Sequence, residues 1–252
     1  MRLLCFPYAG GAPSAFFGWP ELLAPEVEVI WIQSRGRGAR FLETPLNHVS
    51  EMVQEIAAAL TTLDDRPFCF YGHSLGALVA FEVARLLRRN GQRGPAHLFV
   101  GAARAPQLER ILPPLGHLPD KAFIDAIQSR YSGIPAAILD DPEMMQLFLP
   151  TLRADFAAYE GYRYVEERLL ACPITTFVGA HDPVVTAEAM AAWAEHSSAP
   201  FTAHTLPGDH FFLASCRDRL VHTVRHALLN SLSDRDDRNE DFVPTVEDEI
   251  WA

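Results

Sequence analysis

The pentapeptide Gly72-His73-Ser74-Leu75-Gly76 constrains this chain more than any other feature, because of what flanks it. Pro67-Phe68-Cys69-Phe70-Tyr71 is a short apolar and aromatic run, the pattern of a buried strand. From Ala77 to Leu87 the apolar spacing is that of a helix lying on a sheet. A chain that passes from strand to helix this quickly turns too tightly for side chains at the two outer positions, where the glycines stand. The same strain lifts the Ser74 hydroxyl into the open. Ser74 is a candidate nucleophile.

A serine hydroxyl attacks only when a base removes its proton, and the base must be oriented by a carboxylate. Strands are predicted near 2–7, 27–33, 68–72, 97–103, 174–180 and 201–206, with helices between most of them. Such alternation predicts a parallel sheet covered on both faces. Catalytic groups in such sheets gather at the carboxyl ends of strands. Asp182 follows the strand at 174–180, and His210 follows the strand at 201–206. Asp182 has a second reading as a cap for a helix starting near Thr186. Asp209 is the rival acid, but a direct neighbour of His210 reaches back to that ring poorly. Among ten histidines, His210 alone follows the last strand at its carboxyl end.

Acyl transfer also needs donors for the oxyanion. The Leu75 amide, at the positive end of the following helix, is one. The loop Pro7-Tyr8-Ala9-Gly10-Gly11-Ala12-Pro13 after the first strand offers the other, with the Ala9 amide favoured and Tyr8 next.

A strand, G-x-S-x-G and a helix resemble the nucleophile elbow of α/β-hydrolases. More specifically, Phe6-Pro7-Tyr8-Ala9-Gly10-Gly11 with Ser14-Ala15-Phe16-Phe17-Gly18-Trp19 resembles the type II thioesterases of polyketide and nonribosomal peptide synthesis. Gly36-Arg37-Gly38-Ala39-Arg40, the elbow, Asp182-Pro183-Val184-Val185 and Gly208-Asp209-His210-Phe211-Phe212-Leu213 agree in order and spacing, over residues 2 to 230. The resemblance implies Ser74 as nucleophile, His210 as base and Asp182 as orienting acid. It also implies acyl thioesters on phosphopantetheine arms as substrates, carrier-protein domains as partners, and the clearing of stalled or misprimed acyl groups as the task. No bound cofactor is implied. Two departures stand out. Members usually carry a further strand before the first motif, so the strand at 2–7 is expected at the sheet edge or in a sheet one strand smaller. Arg35 stands where the family generally has proline.

The segment from Leu115 to Val165 carries helical patterns and no clear strand, which is long for one crossover and occupies the position of a lid. Phe123, Ile127 and Met145 from this segment, with Tyr8, are expected to line the acyl channel. Carrier docking is expected around the lid, Tyr8 and the Arg35–Arg40 loop. The cluster Arg85, Arg88, Arg89 and Arg93 is discounted, since it lies roughly 20 Å along the helix from Ser74.

The net charge of −11 is uneven, because residues 233–252 hold eight acidic and two basic side chains, a balance of −6. This splits the chain into a domain over 1–232 and an acidic tail expected to be disordered. The balance excludes a nucleic-acid binder. No apolar stretch is long enough for a membrane span, and the first residues lack a signal-peptide pattern. Four scattered cysteines without C-x-x-C spacing read as reduced thiols of a cytoplasmic protein, with no metal site. The protein is expected to act as a monomer. Two rival readings are a carboxylesterase or lipase on free oxyesters and a medium-chain fatty acyl thioesterase. A catalytically silent hydrolase fold is a third.

Overall fold

The computed structural model describes residues 1–63 and 65–240. Six strands form one sheet: β1 (Arg2–Phe6), β2 (Glu28–Trp31), β3 (Phe68–His73), β4 (Leu98–Gly101), β5 (Ile174–Gly179) and β6 (Phe201–Leu206). Their spatial order is β2-β1-β3-β4-β5-β6, and every pairing is parallel. All six lie where the alternating and apolar runs predict. β1 is interior rather than at an edge, because Leu3 pairs with both Val29 and Cys69. The edges are β2 and β6.

The apolar runs are continuous because both faces of the sheet are covered. Leu4, Phe6, Phe68 and Phe70 face α2 (Val49–Leu60) and α3 (Leu75–Arg89). Leu3, Cys5, Cys69 and Tyr71 face the other way, toward α1 (Trp19–Leu23) and α9 (Arg217–Glu240). The segment between β4 and β5 holds α4 (Asp120–Tyr131), α5 (Ala136–Leu139) and α6 (Pro142–Gly161). These pack on one another around Leu115, Phe123, Ile127, Leu152 and Phe156. The short helices α7 (Ala187–Ala191) and α8 (Phe212–Ser215) follow β5 and β6.

The chain runs outward from β1 to β2, crosses back over β1 to β3, and then proceeds outward in the other direction. A crevice opens outside the carboxyl ends of strands where the order reverses. Here that point lies between β1 and β3, so the fold itself sets the Tyr8–Gly11 loop beside Ser74. α9 runs past the expected boundary at residue 233. α9 continues to Glu240, since no glycine or proline interrupts the sequence before Pro244. The rest of the acidic tail, residues 241–252, lies outside the described residues. No helix among the described residues is long and apolar enough to cross a membrane.

Three histidines are buried and held neutral. Burial lowers the pKa of His73 to about 3 and those of His97 and His196 to about 4. In the unfolded chain each titrates near the usual histidine value of about 6.5. Between that value and the folded ones the unfolded state binds more protons, so stability falls as pH drops through this window. The denaturant midpoint should therefore fall from pH 7 to pH 5, with His97 contributing on the order of 1–2 kcal/mol. Replacing it in His97→Gln, which can keep a bond to the Thr175 hydroxyl now 2.8 Å away, should flatten the profile in urea titrations.

Candidate active site

Ser74 sits at φ 54° and ψ −118°, in a region that non-glycine residues rarely occupy. The close packing on either side holds it there. A Cβ on Gly72 would lie 2.4 Å from the Ala77 Cα, and one on Gly76 would lie 2.2 Å from the Phe6 carbonyl oxygen. The Ser74 amide donates to the Gly101 carbonyl at 2.8 Å, which ties the turn to β4. Glycine at 76 thus brings the first turn of α3 against the end of β1, the root of the Tyr8–Gly11 loop.

His210 and Asp182 meet Ser74 from loops that follow β6 and β5. The Ser74 Oγ lies 3.2 Å from His210 Nε2, and His210 Nδ1 lies 2.8 Å from Asp182 Oδ2. Both the imidazole and the carboxylate are buried, at 3% and 0% side-chain exposure. The loops are pressed together at Gly179, where a Cβ would meet the Asp209 carbonyl oxygen at 2.1 Å. Asp182 also accepts the amides of Val184 and Val185 through Oδ1, at 2.8 and 3.0 Å. Burial alone would raise its pKa, but the bond and charge of His210, with these amides, hold it below the usual value. The carboxylate is therefore ionised wherever the imidazole needs it.

The rival reading of Asp182 as a helix cap does not describe it. Thr186 caps α7, accepting the Ala189 amide at 3.2 Å. Asp209 accepts the Phe211 amide at 2.8 Å, while Asp182 holds the ring. His73 lies beneath the site. Its Nε2 is 2.7 Å from the His210 carbonyl oxygen, so this nitrogen donates, and Nδ1 is left to accept from the Tyr71 hydroxyl at 3.3 Å. A residue that sequence reasoning passes over thus positions the loop of His210.

Asp155 is the other residue the sequence does not announce. It projects from α6 into the protein at 1% exposure. Its Oδ2 accepts the Gly10 amide at 2.7 Å and its Oδ1 accepts from Arg37 at 2.8 Å. Arg37 donates on to the Gly11 carbonyl at 2.8 Å, and the Gly11 amide closes a turn on the Tyr8 carbonyl. One buried ion pair therefore joins α6, the Gly36–Arg40 loop and the glycine loop. The Gly10 and Gly11 amides are thus engaged within the fold, and Tyr8 and Ala9 line the cavity that Ser74 also lines.

A cavity of about 360 Å³ opens over Ser74 and His210, walled by Tyr8, Ile127, Leu147, Phe148 and Leu152. Two of the expected channel residues, Tyr8 and Ile127, face it. Phe123 and Met145 do not. Phe123 is fully buried behind the wall, edge-on to Phe156 and beneath the Arg153 guanidinium. Met145 packs into the same lid core, because α6 presents Met144, Leu147, Phe148 and Thr151 to the cavity, one helical face at i, i+3, i+4 and i+7. The Arg35–Arg40 loop is likewise no free basic surface. Arg35 and Arg40 pair with Glu43 and Glu55, and Arg37 is buried. Arg85, Arg88 and Arg89 all meet Glu167, consistent with a structural role for that cluster.

Comparison with known proteins gives the geometry its family. A model of the thioesterase domain matches residues 1–228. The gramicidin S biosynthesis protein GrsT of Aneurinibacillus migulanus is 41% identical over 221 residues, 88% of this chain and 86% of that protein. Among solved structures, the RedJ thioesterase of the prodiginine pathway in Streptomyces coelicolor superposes with a TM-score of 0.84 at 40% identity, covering 90% of this chain and 89% of that one. YbtT, a type II thioesterase from the yersiniabactin pathway, gives 0.81 at 29% identity over 91% and 93%. The chain belongs to the thioesterase family, within the type II thioesterases of the α/β-hydrolase fold.

Proposed function

We propose that this protein hydrolyses acyl thioesters carried on the phosphopantetheine arms of carrier proteins, clearing stalled or misprimed acyl groups from a polyketide or nonribosomal peptide synthase. The observation that carries the reading is the hydrogen-bonded series Ser74–His210–Asp182 at the floor of an apolar cavity. The relatives in gramicidin S and yersiniabactin biosynthesis support the setting.

In this mechanism Ser74 Oγ attacks the thioester carbonyl while His210 Nε2 takes its proton. Ionised Asp182 holds Nδ1–H, which fixes the tautomer and stabilises the imidazolium. The amides of Leu75 and Ala9 receive the oxyanion, aided by the positive end of α3. His210 then returns the proton to the departing sulfur. Water then attacks the acyl-enzyme carbonyl as His210 takes its proton, and His210 passes that proton to Ser74 Oγ as the acid is released.

Ser74→Ala should lose at least about a thousandfold in turnover while keeping its fold, and intact-mass spectrometry should find no acyl-enzyme. Asp182→Asn should fall by about 10⁴ through the wrong imidazole tautomer, whereas Asp209→Asn should stay within about tenfold; comparing kcat for the two checks the acid. Asp155→Asn removes the charge that anchors Arg37 and the glycine loop. It should lower kcat by about 10- to 100-fold with little change in KM, since the oxyanion amides act mainly in the transition state. Ile127→Trp or Leu147→Trp should shift preference toward shorter acyl groups, while Met145→Leu should leave the ranking in place, as read from kcat/KM across a chain-length series.

A further inference from the structure

A second, narrower cleft of about 90 Å³ meets the main cavity at Ser74 and His210. Tyr131, Phe156 and Tyr159 divide the two. The cleft is built from the loop after β4 and the last turns of α4 and α6, and its stem is apolar at Leu108, Leu112 and Val185. Its charge differs from that of its neighbour. In the main cavity Arg37 is neutralised by Asp155 at 2.8 Å. The cleft carries Arg104, Arg110 and Arg130 against one carboxylate, Glu160.

None of the three arginines has a carboxylate within 4.0 Å among the described residues. Arg104 donates to the Glu109 carbonyl at 3.1 Å and Arg130 to the Pro113 carbonyl at 2.8 Å. Arg110 donates to the Tyr159 carbonyl and stacks over the Tyr159 ring at 4.9 Å. Glu160 is turned to its own surroundings, accepting the amides of Leu115 and Gly116 at 2.5 and 3.0 Å. This is unlike Arg35, Arg40, Arg85 and Arg153, each of which meets a carboxylate. Guanidinium groups stay charged at any physiological pH, and their planar fork suits phosphate oxygens.

A thioester bound at Ser74 sends two branches away from its carbonyl carbon, the acyl chain and the sulfur. An apolar chain laid along the arginines would strip water from unpaired cations, which is costly, whereas the larger neutral cavity accepts it readily. That leaves the arginine cleft for the sulfur side. We propose that Arg104, Arg110 and Arg130 form an anion site for the phosphate at the far end of a pantetheine-type thiol, on the leaving-group side of Ser74. The inference rests on the thioesterase reading above. The same phosphate terminates the arm on a carrier protein and continues into coenzyme A, so the site recognises chemistry common to both.

One acyl group should be compared on pantetheine, on 4′-phosphopantetheine, on coenzyme A and on a carrier protein. The wild type should favour the phosphate-bearing short thiol over pantetheine by about tenfold or more in kcat/KM, less so at high salt. The variant Arg104→Gln/Arg110→Gln/Arg130→Gln should bring that ratio close to one and lose similarly on coenzyme A and carrier substrates. Arg93→Gln, beyond the end of α3, should keep the wild-type ratio and controls for the loss of one positive charge. An absent phosphate preference in the wild type overturns the site. So does an equal loss with and without phosphate, or a loss confined to either coenzyme A or the carrier. Calorimetric binding of free 4′-phosphopantetheine and pantetheine to Ser74→Ala reads the same ratio without turnover. Failure to hydrolyse any of the thioesters would overturn the thioesterase reading, while the binding ratio still judges the anion site.

Discussion

The backbone contact between Gly76 and the end of β1 is the constraint on which the rest of the site depends. With only 2.2 Å from a hypothetical Cβ to the Phe6 carbonyl oxygen, the first turn of α3 can lie against the strand only if residue 76 has no side chain. That approach sets Leu75 and the Tyr8–Ala9 loop against the cavity that Ser74 lines. It also presses the serine into a left-handed conformation that costs of order 1–3 kcal/mol and is held by the packing around it. The equivalent contact at Gly179 sets the loops of Asp182 and His210 together. Gly76 in the first turn of α3 and Gly179 at the end of β5 thus set the loops around Ser74, Asp182 and His210 against one another.

Charge is managed differently on the two sides of Ser74. Toward the larger cavity the charge of Arg37 is matched by Asp155, and the match is structural. Asp155 and Arg37 are too deeply buried to be left alone, because breaking such a pair by removing one partner costs about 3–5 kcal/mol. The pair therefore binds α6 to the glycine loop. Toward the narrower cleft the arginines bond carbonyl oxygens and a tyrosine ring, with no carboxylate within 4.0 Å among the described residues. An apolar chamber on one side and an unneutralised cationic slot on the other give a carbonyl between them a direction.

Beneath the site, His73 ties the turn at Ser74 to the loop of His210. Burial keeps it neutral, so one nitrogen donates to the His210 carbonyl while the other accepts from Tyr71. A neutral ring with both nitrogens bonded holds the His210 backbone without placing a positive charge beside the His210 ring.

What could be read from the chain alone was whatever repeats over a few residues. Six strands, the helices α2 and α3, the tight turn at Ser74, and the strand-end positions of Asp182 and His210 all follow from local spacing and from glycines that admit no substitute. The likeness of several separated motifs added the thioesterase family. Tertiary structure decided the rest. Phe123 and Met145 have the composition of channel residues, yet they face the lid's own core, because the angle at which α4 and α6 lie over the sheet selects which helical face is exposed to the cavity. Asp155 carries no local signature, since its partners Gly10 and Arg37 stand 145 and 118 residues away. The arginines of the Gly36–Arg40 loop look available in sequence and are paired in the fold, while Arg104, Arg110 and Arg130 look unrelated and converge. Local periodicity specifies elements, but the pairing of charges and the walls of a cavity depend on distances that exist only after the elements have packed.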